Sequence, residues 1–529
     1  MQVPLKSSAS LLILPIYFAI TILIGWWARR GSWNSRAYLN ASQSLSLPIV
    51  TAAYLAANCG ALEIVGLSAM AAQYGVQAFH FYWIGAIPAM IFLAIGMMPV
   101  YRRSGVASVP EYLEFRYGPG LRLMNACVAG ITMLLLGGIS LYAIAQVLNA
   151  ILGMTFAYSV AISAGVVLIY VLLGGVRATI YNEVFQLGVM VAGILPLAIL
   201  ATRLHGKAIF TQPGARGHLW TNLPAASRIA PFDLIGIVFG LGFVLSFGYW
   251  CTDFVQMQRA FAVKTELEAR QVPLWAGFGK LAFSLIVVLP GLAAYRLIPE
   301  LGHTRRFDQA LPALMVSLYG PLMLGLGLTA LAASLMSGLA ANVSAFAAIF
   351  TEDIYRARLR RTKSNAHYLM VGRLSAVAAI LASASASYIN FFFSSLMEHV
   401  QLIFSIVGAP FWAIFLLGMA TRKTNERGAI AGFLSGSAIG LLHLLAVSMG
   451  WLNFGTRMSA NFHGAIYAFC IAIAVGWLAS SGATTSLARE ASGTIFSWRS
   501  IRRKDRDILL WALAMLLLIV CVALNFIWR

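Results

Sequence analysis

The chain of 529 residues is 60% hydrophobic and 10% charged, with a mean hydropathy of +0.82, which excludes a soluble globule and reads as one polytopic membrane domain. The formal net charge of +20 sits largely in short loops between apolar runs, the pattern of orientation in an anionic membrane rather than of nucleic-acid binding. All five cysteines (Cys59, Cys127, Cys251, Cys470 and Cys521) fall inside apolar segments without paired or metal-like spacing, so neither disulfides nor a zinc site is expected.

Apolar runs of about 18 to 30 residues predict an all-α protein of about fourteen spans. They begin near residues 10, 46, 79, 123, 156, 182, 232, 273, 320, 368, 397, 428, 461 and 508. The first, residues 11–27, ends in Arg29 and Arg30 and lacks a charged leader and cleavage site, so it reads as a retained span. In the second, residues 51–76 are apolar yet carry Asn58, Glu63 and Gln73. A carboxylate at mid-bilayer disfavours insertion by roughly 2.5 kcal/mol or more, so Glu63 is expected to face protein, a partner or water. Gly60 and Gly66 flank it. Two readings stand: a packed helix with a satisfied polar pair, or a broken helix whose freed backbone groups line a cavity.

Basic loops at 101–121, 356–363, 422–427 and 499–506 place both termini outside by the positive-inside rule. The longest outside connection is 205–231, and a second, 299–311, reads as a lid or a linker. Further polar insertions interrupt later spans: Ser246 to Asp253, Lys280, and Ser334 to Ser344. Lys280 lies about two turns into its span and needs an acceptor, for which Glu63 is an available carboxylate; a structural ion pair and a solute-binding lysine both fit. The serines of 334–344 read as packing residues or, opposite a broken helix, as hard oxygen ligands for a small cation. No catalytic constellation, phosphate loop or metal-ligand cluster is visible, which argues against an enzyme.

Six stretches, in order, resemble the sodium/solute symporters, and within them the sodium/sugar cotransporter branch. They are AANCGALEIVGLSAMAAQYGV from Ala56, SVPEYLEFRYG from Ser108, GGVRATIYNEVFQ from Gly174, YWCTDFVQMQRAFAVKTELEA from Tyr249, LAASLMSGLAANVSAFAAIFTEDIYR from Leu331, and GAPFWAIFLLGMATRKTNERGAIAGF from Gly408. The resemblance implies a leucine-transporter-type core of ten helices in two inverted sets of five, two of them discontinuous: the one bearing residues 51–76 and its counterpart at 232–261, where Gly240, Gly242 and Gly248 suit a locally opened helix. The expected division is a peripheral helix and loop at 1–44, the core at 45–421 and three further spans at 422–529.

Carried over position by position, the resemblance implies solute contacts at Asn58, Glu63, Tyr82, Ser246, Lys280 and Gln401, with Tyr249 as an aromatic gate. Sodium would take backbone oxygens of Ala56, Cys59 and Ser334 and hydroxyls at 337 and 338. Ser337 is present, whereas position 338 is Gly338, so water or Asn342 would complete the shell. Tyr82 and Glu63 also depart from the usual pattern, a Glu being common at 82 and a Gln or His at 63. Glu183 matches an inner-face acid associated with ion release, and its alternative is a salt bridge with Arg177.

The implied function is import of a sugar or related polyol across the plasma (inner) membrane by alternating access. No cofactor is expected, and sodium is the coupling ion. The alternatives are a symporter of another organic solute such as a carboxylate or nucleoside, a proton-coupled carrier using Glu63 or Glu183, and a non-transporting solute sensor on the same fold.

Overall fold

The structure, a computed structural model, describes residues 8–29, 38–39, 44–60, 62–106, 108–209, 214–220, 232–393, 395–480 and 507–527. The basic run 499–506, the rest of 481–506 and parts of the connection 205–231 lie outside the described residues. Among the described residues every named element is a helix, and Leu301 and Arg305 form an isolated β-bridge. Among the described residues ten helices are long and apolar enough to cross a bilayer, or eleven when the bent pair Gly236–Thr252 and Phe254–Ala260 is one span.

Two of these exceed what a single crossing needs. Leu62–Arg103 and Phe156–Leu204 run 42 and 49 residues, about twice the ~20 that span the hydrocarbon core. Phe156–His205 is interrupted at Gly175, whose φ of 57° and ψ of −146° only glycine adopts readily. A Cβ there would lie 2.4 Å from the Tyr38 carbonyl oxygen.

The chain folds as two compact units, each assembled from three stretches of sequence. Met1–Ala78, Gly130–Pro213 and Ala282–His399 form the first, and Phe79–Ala129, Gly214–Leu281 and Val400–Arg529 the second. At the centre of the first stands Pro321–Ala348, buried along most of its length. It packs on Phe156–His205, where a Cβ on Gly193 would meet that of Ala330 at 2.4 Å; small residues let helices approach in lipid. Ser8–Ala28 is fastened to the same long helix by polar groups. Asn182 Nδ2 donates to the Thr21 carbonyl at 3.2 Å and Gln186 Nε2 to Tyr17 Oη at 2.9 Å.

The second unit is closed at one end by a polar clasp joining two of the six sequence stretches. Ser108 caps Val109–Arg116 by accepting from the Glu111 amide at 3.2 Å, with Pro110 in the first turn where no amide is needed. Arg116 then donates to the carbonyls of Gly418 (2.7 Å), Thr421 and Thr424 (3.2 Å), satisfying groups at and beyond the end of Ala409–Ala420. Glu426 accepts from the amides of Gly120 and Leu121, in the first turn of Pro119–Leu152, where a carboxylate is favoured.

The bend in Gly236–Ala260 has a different origin from the one its glycines suggest. The 52° break falls at Asp253, whose side chain caps Phe254–Ala260 by accepting from the Gln256 amide at 3.0 Å. Gly240, Gly242 and Gly248 are contact surfaces instead: a Cβ on each would meet Phe462 (2.6 Å), Ile84 (2.7 Å) and Trp412 (3.3 Å). Gly240 and Gly242 also lie in a π-helical stretch, Gly236–Leu245, so the helix is widened as well as closely packed where they sit.

Gly175→Ala is expected to lower the apparent melting temperature of the purified protein, by a strain of about 1–3 kcal/mol. Gly165→Ala, where an added Cβ meets nothing within 4 Å, serves as the neutral control. Equal melting temperatures for the two variants would contradict the assignment of strain to position 175.

Candidate functional site

Helix Leu47–Asn58 begins with Pro48 in its first turn and ends at Cys59, where ψ turns to 40°. The chain resumes as a π-helical turn, Leu62–Leu67, and then as Ser68–Tyr74. A helix that stops leaves its last carbonyls without amide partners. Serines of Pro321–Ala348 supply donors in their place: Ser334 Oγ donates to the Cys59 carbonyl at 2.9 Å and Ser337 Oγ to the Ala56 carbonyl at 3.3 Å. Both serines are fully buried. Three of the oxygens expected near a cation, the carbonyls of Ala56 and Cys59 and the Ser337 hydroxyl, are therefore within hydrogen-bond distance in pairs with the Ser334 hydroxyl as the fourth member, all inside the first unit.

Gly60 and Gly338 face each other where the two backbones meet. A Cβ built on Gly60 lies 3.3 Å from the Gly338 Cα, and one on Gly338 lies 3.6 Å from the Gly60 Cα and 3.3 Å from Ser140 Oγ. Asn342, the side chain that could replace a hydroxyl at 338, uses Nδ2 on the Gly338 carbonyl at 2.9 Å. Two features went unread in the sequence. The Ser334 hydroxyl itself, and not only its backbone oxygen, reaches the break, and Ser140 of Pro119–Leu152 borders position 338.

Glu63 opens the π-helical turn and is buried, with Cys59 Sγ donating to its Oε1 at 3.8 Å. Asn58 ends the preceding helix. Glu183 is fully buried on Phe156–His205, whereas Arg177, its prospective partner, carries its guanidinium 5.8 Å over the Tyr181 ring.

The remaining positions belong to the second unit. Lys280, 2% exposed, holds Nζ 5.3 Å from the Tyr82 ring centroid and 5.4 Å from that of Trp250. Two aromatic faces partly offset the cost of burying an ammonium. Trp250 is fixed in turn by donating Nε1 to the Gly85 carbonyl at 3.2 Å. Ser246 Oγ turns back on the Leu241 carbonyl at 2.6 Å, within its own helix. Tyr249 Oη accepts from Gln256 Nε2 at 3.0 Å across the bend, and its ring packs on Phe404 at 5.5 Å. Gln401, buried on Leu396–Ile403, precedes Phe404 by three residues. Trp250 and Gln256 were not singled out from sequence. Their signals, an aromatic beside the gate tyrosine and an amide one turn past the helix-capping Asp253, are legible only once the bend is known.

Residues 38–436 match the sodium:solute symporter family. The sodium/glucose cotransporter 1 of Mus musculus is 28% identical over 83% of this chain and 72% of the mouse protein. The sodium/glucose cotransporter of Vibrio parahaemolyticus is 27% identical, over 84% of this chain and 87% of that protein. A solved Na+-coupled sialic acid symporter, in a substrate-bound outward-open state, aligns with 90% of this chain and 98% of its own at a TM-score of 0.76; at 17% identity the likeness is one of fold. The family match spans about three-quarters of the sequence and contains both the broken helix and the lysine-bearing aromatic cluster, and on it the chain belongs to the sodium:solute symporter family, a transporter and not an enzyme.

Proposed function

We propose that the chain is a secondary active symporter that imports a sugar or related polyol, coupled to an inward sodium gradient by alternating access. The observation that carries it is the meeting of two helix-end carbonyls, Ala56 and Cys59, with two buried hydroxyls, Ser334 and Ser337. With a cation present these hydroxyls would turn their protons away and offer lone pairs, giving four hard oxygens, to which water can add. The backbone oxygen of Ser334 and the residue Gly338 border the same place. The named relatives, both sodium/glucose cotransporters, support the choice of a sugar.

The proposed solute contacts are Asn58, Glu63, Tyr82, Ser246, Lys280 and Gln401. Tyr249 is the aromatic cover, and Glu183 the acid that aids ion release. Amides, a lysine and a carboxylate bind hydroxyl groups in fixed directions, and rings cover an apolar sugar face. The proposed architecture has fourteen spans, namely the eleven above, two more from dividing the overlong helices, and Ser8–Ala28, with a peripheral segment at 1–44, a core at 45–421 and a C-terminal segment at 422–529. The first and sixth spans of that core are the interrupted ones, a spacing that supports two inverted sets of five. Both termini are placed outside the plasma (inner) membrane. Proton coupling is the second reading, favoured by the burial of Glu63 and Glu183.

Uptake of labelled glucose, mannose and myo-inositol into proteoliposomes tests the reading. Stimulation by an inward sodium gradient, but not by a pH gradient alone, is expected; a pH-driven, sodium-independent uptake would transfer the coupling to the carboxylates.

Ser334→Ala and Ser337→Ala are each expected to raise the sodium concentration for half-maximal uptake about tenfold, equivalent to about 1.4 kcal/mol. Gly338→Ser in the Ser334→Ala background is expected to recover part of that loss. Unchanged sodium dependence in both single variants would remove the hydroxyls from the ion site. Lys280→Met is expected to weaken solute binding at least about tenfold while leaving stabilisation by sodium intact, as read by thermal shift in sodium against choline buffer.

A further inference from the structure

The segment 298–318, which joins Glu266–Leu297 to Pro321–Ala348, roofs a cavity of about 220 Å³ inside the first unit. That is room for roughly seven waters, the size of one sugar ring rather than of a drug-like ligand. Its polar wall is Tyr142 and Gln146 of Pro119–Leu152 with Arg305, Arg306, Asp308 and Gln309 of the segment, and the remainder is mostly aliphatic. None of the residues proposed above for the ion or the solute lines it.

The two arginines do different things. Arg306 is spent on the protein: Nη1 donates to Tyr142 Oη at 3.3 Å, and Nη2 to the Phe393 carbonyl at 2.7 Å and to Asp308 Oδ2 at 3.5 Å. It pins the segment over the cavity. Arg305, half-buried in the same wall, has no hydrogen-bond or ion-pair partner for its guanidinium among the described residues. Two guanidiniums therefore face one carboxylate around a partly open, partly polar space. Glu398, on the helix that contributes Leu396 to the wall, does not line the cavity and accepts from Tyr74 Oη at 3.4 Å. A planar guanidinium in such a setting matches a carboxylate bidentately, and the amides of Gln146 and Gln309 match hydroxyls.

We infer that this cavity is a second solute site, distinct from the proposed transport site, and that it binds a sugar-sized, hydroxyl-rich molecule carrying one carboxylate, with Arg305 as the recognition charge. Asp308 lies outside the membrane-spanning helices, and burial pushes its carboxyl up to about 6, despite Arg306 beside it; Glu398 pushes in the same direction and the Leu396 amide opposes it. Below about pH 6 Asp308 is neutral, the wall gains net positive charge, and a carboxylate binds more tightly.

The test uses the full-length protein in choline buffer, with glucuronate as the acidic probe and glucose as its neutral counterpart, read by thermal shift. Glucuronate is expected to stabilise the protein, about tenfold more weakly in Arg305→Gln, less so in Arg305→Lys, and unchanged in Lys280→Met. Its binding tightens several-fold as pH falls through about 6, and Asp308→Asn shows the tighter binding at all pH values. Ala313→Cys, in the cavity wall, provides a reading independent of Arg305: glucuronate slows its reaction with a neutral maleimide and glucose does not. The inference is overturned if glucuronate neither stabilises nor protects, if Arg305→Gln binds it as the parent does, or if Lys280→Met alone abolishes its binding. That last result would assign glucuronate to the transport site and leave the symporter reading standing.

Discussion

Everything at the proposed ion position depends on one close approach, that of the backbone at Gly60 to the backbone at Gly338. A helix that ends in the membrane exposes carbonyls with no water to satisfy them, an arrangement tolerated only where protein or a cavity supplies partners. The approach brings Pro321–Ala348 near enough for Ser334 and Ser337 to be those partners. Side chains at both contact positions would hold the helices apart, and the carbonyls of Ala56 and Cys59 would lose their donors. The same contact thus stabilises the break and assembles the oxygens, and in the proposed ion site the serine hydroxyls would change role from donor to ligand.

The second unit solves a related problem with rings. Lys280 is buried in a helix apolar enough to cross the membrane, and Tyr82 and Trp250 lie against its ammonium. An acid at position 82, the residue the family resemblance leads one to expect, would neutralise the lysine. A tyrosine ring stabilises it without cancelling its charge or consuming a directional acceptor, since the π-face is diffuse where a carboxylate is localised. In the proposed solute site Tyr82 would therefore shape the charge of Lys280 as well as line the wall.

Much of this was legible in the sequence because a bilayer makes apolar length informative. The helices starting at Leu47, Phe156, Pro321, Leu396 and Ile508 begin within one residue of the starts near 46, 156, 320, 397 and 508. The break beside Cys59 and Gly60 was marked by polar residues that lipid would reject. Less legible were features set by a neighbour. Gly240, Gly242 and Gly248 have the composition of a flexible hinge, yet each abuts another side chain or backbone, while the actual bend is made by Asp253, a helix-capping residue indistinguishable in sequence from an ion-binding acid. Gly175 is set by a neighbour too: glycine is made obligatory there by the Tyr38 carbonyl, which no local pattern reveals.

The loss of a hydroxyl at position 338 looks, in sequence, like the loss of a sodium ligand. Positions 334 and 338 are four residues apart on one helix and so share a face one turn apart. The chain lacks a hydroxyl at 338 but has one at 334, and that hydroxyl reaches the Cys59 carbonyl at 2.9 Å. Glycine at 338 admits the backbone of Gly60, and serine at 334 takes the carbonyl that this admission presents. Read as a pair, the two residues leave the helix with a hydroxyl oxygen one turn from the position that lacks one. Since a hard cation is held by the number and placement of oxygens more than by which residue supplies them, the departure at Gly338 is compatible with sodium coupling once Ser334 is counted through its side chain.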